Sequence, residues 1–198
     1  MPQQSRQPAK ILERVCFGLG AMGLLFFGAA MLQGALASSA ALYSFEMESS
    51  TRQLAASLEP IEPASSNLPL AVLEIDRLDV RVPVFLGTHP LTLNKGAGIV
   101  EGTAVPGEIG NIAVAAHRDS HFRPLEQIEV GDLINLRTTE GPKRFQVSEV
   151  RITDPLDIGV LDDTDGVTLT LITCYPFRYV GPAPDRYIVR ALPVADAI

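Results

Sequence analysis

The chain has 198 residues, with 16 Lys and Arg against 23 Asp and Glu, three histidines, two cysteines and no tryptophan. That length holds one ordinary domain plus an appendage. A formal net charge of −7 argues against nucleic acid and anionic lipid as partners and suits an extracytoplasmic domain.

The appendage comes first. Residues 15–37 carry no charge and include Leu24-Leu25-Phe26-Phe27; as a helix they reach about 35 Å, enough for a bilayer core of about 30 Å. They read as a transmembrane anchor. Arg6, Lys10 and Arg14 precede it, and the first charges after it are Glu46 and Glu48. The positive-inside rule then places residues 1–14 in the cytoplasm and everything after Ala37 outside. A cleaved signal peptide is the rival reading, because Ala35-Leu36-Ala37 resembles a cleavage site, but the apolar run is longer than the roughly 7–15 residues of an ordinary signal core. Residues 38–67 are read as a linker. Its first part, 38–57, suits a short helix, and the Pro- and Ser-rich tract 59–67 is a spacer between bilayer and domain.

Residues 68–198 form the domain. Short β-branched and apolar runs between turn residues predict strands at 70–75, 81–85, 111–117, 132–137, 144–152, 167–174 and 187–192. Helical patches are expected at 91–97 and 122–128. Seven or eight strands in about 125 residues imply a closed barrel or a sandwich. The stretch 154–165 is a long Asp-rich loop able to form a short helix around Leu156. Its Asp162, Asp163 and Asp165 suit a solvated acidic surface better than a cation site.

The strand 167–174 ends on Cys174. Period two puts Thr168, Thr170, Ile172 and Cys174 on one face and Leu169, Leu171 and Thr173 on the other. Cys16 lies in the membrane segment, so Cys174 cannot pair with it and is an unpaired thiol in an oxidising compartment. It is either an inert small hydrophobe or a nucleophile. A nucleophile needs a nearby cation or base. Of His89, His117 and His121, His117 closes its strand as Cys174 closes its own, and the small Ala113 and Ala115 on its face leave room beside the imidazole. Arg186 stands where the next strand begins. If that strand forms an antiparallel hairpin with 167–174, Arg186 falls close to Cys174, where a fixed charge can stabilise an oxyanion. Arg190 is one pitch further along, and Arg178 lies in the connecting loop.

Thr170-Leu171-Ile172-Thr173-Cys174 resembles the Thr-Leu-X-Thr-Cys signature of sortases. Ala116-His117-Arg118-Asp119 resembles the segment around their catalytic histidine, and Asp185-Arg186-Tyr187-Ile188-Val189 their arginine strand. Cys174-Tyr175-Pro176-Phe177 and the segment from His117 to Phe122 look most like class D sortases and their Gram-negative relatives. The resemblance implies a mainly β fold, an eight-stranded closed barrel with short helices, and a cysteine transpeptidase. It implies that Cys174 attacks the Thr-Gly carbonyl of a Leu-Pro-X-Thr-Gly-like signal near the C-terminus of a secreted protein, and that an amine on a cell-envelope component or a lysine resolves the thioacyl enzyme. His117 is then general acid and base, Arg186 the substrate and oxyanion ligand, and Thr173 an assistant through its hydroxyl or by positioning the backbone. The loop 154–165 takes the place of the substrate-selecting loop. No cofactor is implied, and any calcium requirement is left open.

Other readings compete. L,D-transpeptidases also pair Cys with His, but their Ser-X-Gly-Cys context is missing here. A thiol hydrolase of the same fold differs only in using water as acceptor, and a non-enzymatic anchored barrel would leave Cys174 inert. His121 competes with His117 for the catalytic role, and a metal site would have only His117, His121 and Asp119 locally, where a catalytic zinc wants three well-placed ligands.

Overall fold

The structure is a computed structural model that describes residues 7–55 and 68–194. The Pro- and Ser-rich tract expected as a spacer lies outside the described residues. The chain divides into two compact units, Met1–Ala37 and Ser38–Ile198. Helix α1, Gln7–Ala55, begins in the first and continues into the second. Within it, Cys16–Met47 is long and apolar enough to cross a membrane. Phe17, Leu24, Leu25 and Phe26 are exposed, and an apolar surface of this kind suits a helix facing lipid.

The part of α1 in the second unit behaves differently. Phe45 is buried, and Glu46 forms an ion pair with Arg81, whose Nε also donates to Glu74 at 3.1 Å. Arg137 approaches the same Glu74 oxygen at 3.5 Å. The helical stretch after Ala37 therefore engages the domain instead of serving only as a tether.

The domain is a barrel of eight strands: β1 (Ala71–Ile75), β2 (Val80–Leu86), β3 (Ala97–Ile99), β4 (Asn111–Ala115), β5 (Leu133–Thr138), β6 (Gly141–Thr153), β7 (Thr168–Tyr175) and β8 (Asp185–Pro193). The order around the barrel is β1-β2-β3-β4-β7-β8-β6-β5, closed by β5 on β1. Pairs β2–β3 and β4–β7 are parallel and the others antiparallel. Closure leaves no open sheet edge.

Strand alternation fills the interior with Leu73, Val82, Val84, Ile112, Val114, Leu136, Phe145, Leu169, Leu171 and Val189, all in one core cluster. Three-residue β3 is the strand that the pattern of apolar and turn residues does not announce. Its Gly98 packs so closely that a Cβ there would lie 2.1 Å from the Gly87 carbonyl oxygen, so a side chain is sterically barred.

Helix α2, Pro90–Lys95, is one residue displaced from expectation at its start, and His89 caps it by accepting the Leu91 N–H on Nδ1 at 3.3 Å. The patch at 122–128 is a 3₁₀ turn, Arg123–Gln127, and the acidic loop carries another at Ile158–Leu161.

Candidate active site

Strands β4, β7 and β8 are neighbours in the barrel. In β7–β8, Cys174 is directly opposite Arg186, with Thr173 opposite Tyr187 and Ile172 opposite Ile188. In β4–β7, Ala115 is level with Ile172, and the Ala116 N–H donates to the Ile172 carbonyl at 3.2 Å. The paired register ends there; His117 follows two residues after the end of β4, past the point where the expected strand 111–117 stops. Adjacent strands are about 4.8 Å apart, so Arg186 lies one strand spacing from Cys174, and His117 leaves the neighbouring strand on the other side.

Leu171 and Val189 belong to the core, with Tyr187 packed against it; alternation then turns Cys174 and Arg186 to the outside of the barrel. Ala116 also belongs to the core, and His117 comes next in the chain. None of His117, Cys174 and Arg186 is fully buried. Arg186 donates through Nη1 to the Asp185 carbonyl at 3.0 Å and to that of Ala183 at 3.5 Å. Among the described residues, both cysteines are free thiols.

Thr173 faces the other way. It is buried, and its hydroxyl donates to the Ala116 carbonyl at 2.8 Å. Of the two roles open to it from sequence, direct assistance through the hydroxyl does not suit this position. The bond instead ties β7 to β4 one residue before both Cys174 and His117.

His121 is half-buried, and burial lowers its pKa. A hydrogen bond with the backbone of Asn94 works against that shift, and the charge of His117 adds to it. Arg178 is mostly exposed, with Nε 3.4 Å from Glu126. Arg190 is opposite Thr170, one pitch along from Ile188 and remote from Cys174.

The loop 154–166 is fastened at two points. Near its start, Asp157 accepts from the Thr153 hydroxyl at 2.6 Å and from Arg151 at 3.4 Å. Those contacts, the Thr153 hydrogen bond first, hold its carboxyl below the ordinary range. Thr153 is paired with Arg186 across β6–β8, so this fastening lies beside Arg186. Further on, the buried Asn111 amide donates to the carbonyls of Val160 at 2.9 Å and Asp162 at 3.1 Å and accepts from the Thr170 hydroxyl at 2.7 Å.

The Asn111 fastening is invisible in the sequence because it joins residues about fifty positions apart, whereas the Asp157 fastening is local to the start of the loop. An apolar cavity of about 170 Å³ lined by Ile112, Leu136, Phe145 and Val167 lies at the opposite end of the barrel and has no part in this arrangement. Among the described residues, no cluster of three His, Cys, Asp or Glu side chains could hold a metal ion.

A closed barrel that brings a thiol opposite a guanidinium, with an imidazole two residues past the end of the neighbouring strand, carries the groups that cysteine-dependent acyl transfer would use. The sortase domain family matches residues 73–194, well over half of the chain, and the chain belongs to the sortase family. Sortase D of Bacillus subtilis is 35% identical over 119 residues, covering 60% of each chain. Sortase A of Listeria monocytogenes is 33% identical over 106 residues, 52% of this chain and 47% of that one. The match thus spans at most about 60% of the length of these curated relatives. Among solved structures, a Clostridium perfringens Sortase D5 transpeptidase superposes with a TM-score of 0.67 at 28% identity, covering 80% of this chain and 99% of that one. Sortase A of Listeria monocytogenes superposes with a TM-score of 0.58 at 26% identity, covering 64% and 88%. The likeness to class D is visible in both kinds of comparison.

Proposed function

We propose that this protein is a membrane-anchored cysteine transpeptidase that processes a Leu-Pro-X-Thr-Gly-like sorting signal. The observation that carries the reading is the register: Cys174 is opposite Arg186 on β8, and His117 follows two residues after Ala115, the last residue of β4 paired with β7. Cys174 gives its thiol proton to His117 and its sulfur attacks the Thr carbonyl carbon, so that a C–S bond forms while the oxygen becomes an oxyanion. Arg186 supplies a fixed positive charge to that oxygen. The intermediate collapses, the C–N bond to Gly breaks, and His117 gives the departing amine its proton. A primary amine then attacks the thioester, passes a proton to His117 and displaces the Cys174 sulfur.

Thr173 serves by position, since its bond to the Ala116 carbonyl keeps β4 and β7 in step at the residues before His117 and Cys174. The apolar part of α1 supports a single-pass anchor, and the positive residues before it support a cytoplasmic N-terminus with the barrel outside. The substrate is a secreted protein bearing the signal, and the acceptor is a cell-envelope component or a lysine.

The test is product analysis. The protein is incubated with a pool of Leu-Pro-X-Thr-Gly-like peptides and a primary amine, and the new C-terminus is read by mass. An amide at Thr supports transfer. A free acid, undiminished as amine is raised, means that the protein is a hydrolase, and intact peptides count against both.

A further inference from the structure

The residue after His117 makes a set of contacts that the reaction scheme does not use. Arg118 donates through Nη1 to the Pro176 carbonyl at 2.8 Å and through Nη2 to the carbonyls of Tyr179 at 3.0 Å and Gly181 at 3.2 Å. Its guanidinium carbon also stands 5.7 Å from the centre of the Tyr179 ring. These carbonyls belong to the loop that leaves Cys174 and returns to Arg186. Further round the same loop, the carbonyls of Ala183 and Asp185 receive Arg186. One guanidinium beside the histidine thus grips the connection whose far end holds the other guanidinium. Arg123 adds a single bond, Nη1 to the Phe177 carbonyl at 3.0 Å.

A planar fork with five donors can serve three carbonyls that diverge from one point; an ammonium on a flexible stem cannot satisfy the same set. Phe177 anchors the start of this loop in the core, but beyond it Tyr179 and Val180 are exposed and have little apolar packing to fix them. We propose that Arg118 is a positioning residue: it fixes the loop between Cys174 and Arg186, and so sets where the Arg186 guanidinium stands when the oxyanion forms. The part of this that concerns the oxyanion rests on the transpeptidase reading above; the part that concerns the loop does not.

The experiment compares full-length wild type, Arg118→Lys and Arg118→Ala in detergent, with Arg123→Lys as a control that disturbs the Phe177 contact and the neighbouring Glu126 ion pair but none of the Arg118 bonds. Two quantities are read. One is hydrogen exchange over residues 177–183. The other is the rate of Cys174 acylation, followed by intact mass against concentration of whichever Leu-Pro-X-Thr-Gly-like peptide acylates the wild type.

Arg118→Lys keeps the charge and loses the fork. It is expected to speed exchange in the loop and to lower the maximal acylation rate about tenfold, while the half-saturating peptide concentration changes less than about twofold. Iodoacetamide labelling of Cys174 and the melting temperature should remain close to wild type. Wild-type exchange and acylation in Arg118→Lys would overturn the proposal. A fall in melting temperature with an unchanged acylation rate would also overturn it, because that is the mark of a merely structural contact. If no peptide acylates the wild type, the transpeptidase reading has failed. The exchange data alone then decide whether Arg118 holds the loop: faster exchange in Arg118→Lys supports it, and unchanged exchange refutes it.

Discussion

Strands β4 and β7 carry polar side chains at both ends of their shared outer face, and the two ends treat them oppositely. At one end Asn111 and Thr170 are almost wholly buried, 1% and 0% exposed, and every bond they make points inward to the loop 154–166 or to each other. At the other end His117 and Cys174 are only half-buried. A buried polar group must be satisfied by the protein or it costs stability. A polar group left partly open retains capacity for a substrate. The first end therefore stabilises the fold and the second end is free to react, although both are built from the same two strands by the same alternation.

That contrast can be broken from either side. At the reactive end, Cys174→Ala should abolish transfer, a loss of about a thousandfold or more, while leaving the melting temperature near wild type. Peptide turnover and a thermal melt on the same sample check both halves. Arg186→Gln should slow acylation by about a hundredfold, the scale of one lost oxyanion ligand, again with little effect on folding. Acylation unaffected by Arg186→Gln would remove Arg186 from the chemistry.

At the buried end the expectation reverses. Asn111→Ala strands the Thr170 hydroxyl and two loop carbonyls, and should cost about 2 kcal/mol of stability. Denaturant unfolding measures it, and iodoacetamide labelling of Cys174 should stay at the wild-type rate. The smallest effect concerns His121, whose pKa is lowered in the folded state by burial and by the charge of His117. The unfolded chain takes up its proton near pH 6.5 and the folded chain only at lower pH. Stability attached to His121 is thus complete above about pH 6.5 and is lost as the pH falls through the folded pKa. His121→Phe should flatten that part of the stability profile.

Much of this arrangement is legible in the chain itself. Cys174 and Arg186 sit near strand ends, and period two is enough to place Thr173 on the face opposite Cys174, whereas β4 stops at Ala115, two residues before the strand end expected at His117. The barrel follows from short β-branched runs and their turns. What escapes has a physical cause. Strand β3 is Ala97-Gly98-Ile99, with little strand propensity, and exists because the glycine lets the Gly87 backbone approach. Arg118 looks like an ordinary charged loop residue, since its three acceptors lie in a connection far along the chain. The fastening of the acidic loop by Asn111 likewise depends on barrel closure bringing β4 against β7 and its preceding loop. The helical stretch after Ala37 reads as a spacer in sequence; its Phe45 and Glu46 gain their roles only when the barrel presents Arg81.

The most direct test of the central claim is the intact mass of the full chain after exposure to Leu-Pro-X-Thr-Gly-like peptides, with Cys174→Ala in parallel. The account predicts a mass increase equal to the peptide fragment ending in Thr, seen only when Cys174 is present and removed by hydroxylamine. An unmodified Cys174 with every peptide, together with no reaction toward iodoacetamide in the folded protein, would contradict it and make the thiol a core residue of a binding barrel.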